Sequence, residues 1–65
     1  SAGDVDIKIG LQGDIILSVA PEFESCRRSA EASLLPLKTI YQLAMAEATQ
    51  QGLIPGERWM EAQDG

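Results

Sequence analysis

The chain has no histidine and a single cysteine in 65 residues. Without histidine it lacks the commonest general base at neutral pH and the commonest transition-metal ligand. A Ser-His-Asp or Cys-His nucleophile is therefore excluded, and the lone cysteine is no zinc or nickel site. One cysteine forms no intrachain disulfide, which argues against a disulfide-stapled secreted module and makes a reducing cytoplasm the expected setting. Aromatics are scarce, at one Phe, one Tyr and one Trp. Positive charge is short as well: five Lys and Arg face ten Asp and Glu, for a net charge of -5. Nucleic acid and anionic membranes need a basic surface, so neither is expected as a partner. No apolar run approaches the ~18 residues of a membrane-spanning helix. Ser1-Ala2-Gly3 carries neither a charged leader nor an apolar core, so residues 1–4 read as a linker or cloning scar and not as a signal peptide. The run Gly10-Leu11-Gln12-Gly13 lacks the spacing of either glycine-rich phosphate loop.

What is present is ordinary globular composition, 45% hydrophobic and 23% charged. Eight of the hydrophobic residues are alanines, however, which leaves few large side chains for a core. A domain of this size buries only about 60% of the surface its unfolded chain exposes. A partner, an oligomer or the remainder of a longer chain is the expectation that follows.

Val5, Ile7 and Ile9 alternate with Asp4, Asp6 and Lys8, the period of a half-buried strand. Ile15, Leu17 and Val19 repeat it. Leu11-Gln12-Gly13 between them suits a three-residue hairpin loop that pairs Ile9 with Ile15 and Ile7 with Leu17, and leaves Ile16 on the opposite face. Ala20-Pro21 ends the second strand, and Pro21 is placed at the first helical position. Phe23, Cys26 and Ala30 share one helical face. Glu24 reaches Arg28, and Arg27 reaches Glu31, at the i,i+4 spacing. The first helix is expected to stop near Ala32 or Ser33, because Leu35 precedes a proline. Pro36 opens a second helix with a stripe of Leu37, Ile40, Tyr41, Ala44, Met45 and Ala48, stopped at Gly52. The fold class is α+β: a small open ββαα unit over residues 5–52, an antiparallel hairpin packed on two helices, followed by an acidic tail at 53–65 with Trp59. Bare sheet edges invite pairing, so the unit is expected to belong to a larger ferredoxin-like or oligomeric sheet.

The polar chemistry gathers at Pro21–Arg28. Glu22 and Glu24 beside a helix start suit a hard cation such as Mg²⁺ or Mn²⁺; equally, they are an ordinary acidic first turn. Arg27 and Arg28 suit a phosphate or carboxylate clamp, or else solvated pairs with Glu24 and Glu31. Lys8 and Lys38 are candidates to join a basic spot. Cys26 is read as a small buried hydrophobe. Trp59 is expected to dock, on this domain or on a neighbour.

The stretch from Val5 to Ala48 resembles the C-terminal end of the LarC family of nickel insertion proteins. The family pattern is a strand V-x-V-K-V-G, then N-V-A-P-E-Y-E-D-C-x-R-x-A-E, a short gap, then P-L-K-x-V-Y and an alanine-rich helix. Lys8 and Gly10 match the first element. Val19, Ala20, Pro21, Glu22, Glu24, Cys26, Arg28, Ala30 and Glu31 match the second, with Phe23 for tyrosine. Pro36, Leu37, Lys38 and Tyr41 match the third. Ser18 stands for the asparagine, Ser25 for an acid, and Ser33-Leu34-Leu35 for a small or glycine-containing gap. The resemblance implies a CTP-dependent nickel insertase, a cyclometallase of the lyase class. Such an enzyme places Ni²⁺ into pyridinium-3,5-bisthiocarboxylic acid mononucleotide and so makes the nickel-pincer nucleotide of lactate racemase. It implies CTP with Mg²⁺ or Mn²⁺ at the C-terminal region as a whole, which makes Arg27, Arg28, Lys8 and Lys38, singled out above by their charge, the candidate nucleotide contacts and Glu22 and Glu24 the candidate metal contacts. It names no catalytic residue. It also implies a C-terminal subdomain that is inactive alone and joined to the rest of the parent chain, while the lone cysteine, the small core and the open edges add the expectation of a cytoplasmic homo-oligomer. The competing expectation is a non-catalytic interaction module with no ligand.

Overall fold

Alternation and turn chemistry build the first two elements. The computed structural model describes residues 5–59. Strands β1 (Ile7–Gln12) and β2 (Ile15–Pro21) pair antiparallel, and helices α1 (Phe23–Ser33) and α2 (Leu37–Gln50) follow. This is the expected α+β order. The proposed linker at 1–4 and the end of the tail at 60–65 lie outside the described residues.

The hairpin departs from its expected register. Gln12 faces Ile15 across a two-residue loop, Gly13-Asp14. Gly13 has φ 62° while Asp14 stays at negative φ, the residue order of a type II′ turn. A two-residue loop alone would set the apolar residues of the two strands on opposite faces. The register instead slips between Gly10 and Leu11: Gly10 faces Ser18, but Leu11 faces Ile16. Leu17 is thus the extra residue of a β-bulge, and it is 56% exposed. The bulge inverts the parity of β2. Ile16, expected on the open face, becomes the innermost side chain at 0% exposure. It clusters with Ala48 and Leu53, and Ile7, Ile9, Val19 and Trp59 pack around it.

Helix α1 starts later than a proline-first helix would. Pro21 ends β2, and Glu22 is the N-cap in extended backbone. Its inward face is Ser25, Cys26 and Ser29, while Phe23 is 61% exposed. Its packing neighbour is α2, and its start is tied back to the residue before β1. Two hydrogen bonds hold it there: the Asp6 amide donates to the buried Ser25 Oγ at 2.7 Å, and the Glu22 amide donates to the Asp6 carbonyl at 2.7 Å. The helix ends on Leu34, left-handed at φ 63°, whose amide donates to the Ala30 carbonyl at 2.9 Å.

Helix α2 buries Ile40, Ala44 and Ala48, while Leu37 and Tyr41 at its start remain exposed. Its end is legible in Gly52. That residue sits at φ 87°, its amide donates to the Thr49 carbonyl, and the Leu53 amide donates to the Ala48 carbonyl. These are the two bonds of a Schellman motif, with Leu53 and Ala48 in hydrophobic contact. Beyond it the chain returns to the sheet. Gly56 donates to the Ile16 carbonyl at 2.8 Å, Ile16 donates to the Glu57 carbonyl at 2.9 Å, and Trp59 donates to the Asp14 carbonyl at 2.7 Å. The segment after Gly52 is therefore part of the folded unit, and it covers the outer edge of β2 at its hairpin end, around Ile15 and Ile16.

Candidate functional site

Helix α1 carries the charged residues singled out from sequence, and its 3.6-residue period decides which of them meet. Glu24, Arg27 and Glu31 lie on one exposed face. Arg27 Nη2 is 3.1 Å from Glu24 Oε2, and Arg27 Nη1 is 2.8 Å from Glu31 Oε2. The guanidinium is thus held between two carboxylates. The expected Glu24–Arg28 pair is replaced by Glu24–Arg27 at i,i+3, while the Arg27–Glu31 pair forms as expected.

The Arg27 hydrogen bond, its charge and a smaller contribution from Arg28 together hold the Glu24 carboxyl below the usual range. Reciprocally, Glu24 and then Glu31 raise Arg27. Glu22 is half-buried at the N-cap and makes no side-chain capping bond. Among the described residues, no group of three or more His, Cys, Asp or Glu side chains stands where it could hold a metal ion. Glu22 and Glu24 are therefore not, on their own, a complete site for Mg²⁺ or Mn²⁺.

The remaining bases are distributed over three elements. Arg28 is exposed on α1 and joins no ion pair among the described residues. Lys8 is exposed on β1 opposite Ala20, where it alternates with the inward Ile7 and Ile9. Lys38 is exposed in the first turn of α2. Cys26 is 1% exposed, and burial pushes its thiol up, so it is a packed neutral side chain as expected and not a nucleophile.

Three participants were not legible as such. Ser25 is the buried acceptor that ties α1 to the strand, although serine at a helix start signals only a local cap. Asp14 sits 3.7 Å from Arg58, beside the bridge that Arg58 makes with Ile15. Gly10 faces Ser18, and a Cβ on residue 10 would stand 2.5 Å from the Ser18 Oγ. Glycine at the position matched by the family lysine-glycine pair thus leaves room for the residue 18 side chain to cross the ladder.

The chain is similar to curated proteins that bear the name "Putative nickel insertion protein". One from Syntrophotalea carbinolica is 52% identical over 42 residues, covering 65% of this chain and 11% of the relative. One from Gloeobacter violaceus is 41% identical over 56 residues, covering 86% and 13%. One from Myxococcus xanthus is 43% identical over 44 residues, covering 68% and 11%. The chain thus spans about an eighth or less of the length of these relatives. No family model and no solved structure matches it.

Proposed function

We propose a function from one premise: this chain belongs to the LarC-type nickel insertion protein family. The parent polypeptide inserts nickel into an organic acceptor, and the 65 residues form one of its structural units. The observation that carries this reading is the 52% identity over 42 residues to a protein named for nickel insertion. Nickel is cargo in this reaction and not a resident cofactor of the unit.

The finer reading follows the family resemblance. The acceptor is pyridinium-3,5-bisthiocarboxylic acid mononucleotide, the product serves lactate racemase, the reaction depends on CTP with Mg²⁺ or Mn²⁺, and the protein works as a cytoplasmic homo-oligomer. The charge pattern divides the candidate residues. Arg28, Lys8 and Lys38 are exposed and join no ion pair among the described residues, so they are available to triphosphate oxygens at a site shared with other parts of the parent. Arg27 is neutralised by Glu24 and Glu31, so its role is to tie together the two turns of α1 between them. Glu22 and Glu24 hold a divalent ion only together with carboxylates from elsewhere, and no chemical step is assigned to that ion.

The test is nickel transfer by the purified full-length parent to the thiocarboxylated mononucleotide, followed by the change in acceptor mass, with CTP and Mn²⁺ present and absent. Calorimetric titration of the parent with CTP then separates the arginines. Arg28→Ala is expected to weaken binding about tenfold, the loss of one charged hydrogen bond, and Arg27→Ala to weaken it far less. Failure to transfer nickel removes the function; equal affinity in wild type and Arg28→Ala removes the site. A second reading, a ligand-free interaction module, draws on the large exposed apolar side chains Phe23, Leu34 and Leu17. An Arg28→Ala parent that still binds CTP normally would favour it for this unit.

A further inference from the structure

We propose that the outer edge of β1 is a docking edge for one β-strand supplied by the part of the parent polypeptide that lies beyond this chain. The inference rests on the reading of the chain as a unit of a longer nickel insertion protein.

The ladder identifies the open groups. The Glu22 amide bonds to the Asp6 carbonyl, so Asp6 faces inward toward the second strand's side of the hairpin. Hydrogen-bonded pairs alternate along an antiparallel ladder, so Lys8 and Gly10 turn their backbone groups toward Ala20 and Ser18. Ile7 and Ile9 then turn theirs outward. Beyond the bulge, Ile16 gives its amide and carbonyl to Glu57 and Gly56 on the far side, so Leu11 opposite it also faces outward. The sheet has two strands among the described residues, and nothing pairs with this row.

The two margins are treated differently. At the hairpin end the outer edge of β2 is covered: the returning segment Gly56–Trp59 takes both backbone groups of Ile16 and bridges Ile15. The edge of β1 has no proline, its register irregularity resolves as an extra residue on β2, and Lys8 is its only lysine. Natural open edges are commonly blunted by such devices. The residues with outward backbone groups are also Ile7 and Ile9, which are only partly buried at the rim of the Ile16 cluster. An added strand would extend that apolar face. Its side chains toward the helices would be apolar and its alternate side chains polar.

The rest of the parent is favoured over a second copy of this unit on two grounds. Matched relatives carry nearly nine-tenths of their length outside the aligned segment. A covalently joined strand acts at high effective concentration, whereas a second copy loses translational and rotational freedom and brings together two units of net charge -5.

Residue-resolved amide hydrogen exchange on the full-length parent tests the assignment. The Ile7, Ile9 and Leu11 amides are expected to exchange about 100-fold or more slowly than the Gly13 and Asp14 amides of the turn, as structured and open groups do, and to keep that protection on dilution. Exchange at the rate of the turn would overturn the proposal by showing the edge open in the parent. Protection that disappears on dilution, together with dissociation in sedimentation, would overturn it in favour of a second copy. A parent that transfers nickel with this edge unprotected would fail the strand assignment alone. Protected amides in a parent that transfers none would support the assignment while the functional reading falls.

Discussion

Gly13 and Leu34 share positive-φ backbone and differ in what it costs. Gly13 turns the hairpin at φ 62° with nothing within 4 Å of where a Cβ would stand. Gly13→Ala should therefore destabilise the unit by a purely conformational ~1 kcal/mol. Leu34 ends α1 at φ 63° while 90% exposed, so its side chain returns little packing for the strain. Leu34→Gly should raise stability, by about 0.5–1 kcal/mol. Chemical denaturation of the two variants checks both signs, and a shift in the same direction for both would refute the argument. Glu24 supplies a titration at the same scale. Its folded pKa is lowered by Arg27, so the associated stability is present above the unfolded carboxylate pKa and is lost as pH falls through the folded one. The group is exposed, so the effect is small and screened by salt. Carboxyl NMR titration should show the Glu24 midpoint rising in Arg27→Ala, and an unmoved midpoint would mean that the pair does not cause the shift.

At the scale of elements, punctuation was more legible than register. Pro36, Gly52 and the 3-4 stripe of α2 marked a helix whose buried residues are Ile40, Ala44 and Ala48. Alternation marked both strands, and Gly13 marked the turn. The register was hidden because a bulge, not loop length, reconciles the faces of β1 and β2. That choice is made by tertiary packing: Ile16 is wanted under α2 and beside the returning tail. Leu53 to Trp59 has no alternation and contains Pro55-Gly56, so nothing local announces its bonds to β2. On α1, the i,i+4 spacing gave Glu24 to Arg28, and side-chain direction gives it instead to Arg27 at i,i+3. Glu22 and Glu24 were legible as an acidic helix start, and no further carboxylate or thiol joins them in a metal-holding group among the described residues. The tail can be tested directly. Trp59 is half-buried against the Ile16 cluster. Trp59→Ala should cost about 1–2 kcal/mol, part of the 3–5 kcal/mol typical of a fully buried aromatic, and should increase the exchange of the Ile16 amide. Unchanged protection at Ile16 would show that the returning segment holds without its indole.

For the whole molecule the decisive quantity is how little is buried. Among the described residues, Ile16 and Ile40 are the only large aliphatic side chains that are fully buried; Cys26 and Ser25 complete that group. Folded domains hold roughly 0.05–0.15 kcal/mol of stability per residue, which for a unit of this size is only a few kcal/mol. Deleting a buried isoleucine to alanine costs about 2–5 kcal/mol. Ile16 joins three parts of the fold: its side chain meets Ala48 and Leu53, its amide and carbonyl hold the tail, and its strand pairs with β1. Ile16→Ala is therefore expected to abolish cooperative thermal unfolding of the 65-residue chain. Leu17→Ala, one position along at the exposed bulge, should shift the midpoint by no more than a few degrees, as a surface change within about 0.5 kcal/mol does. Circular dichroism melts of the pair separate the bulged register from its unbulged alternative, because in the latter Leu17 faces inward and Ile16 outward. A chain that tolerates Ile16→Ala and is unfolded by Leu17→Ala would place the core on the other parity of β2, and would remove with it the backbone direction from which the open edge of β1 is argued.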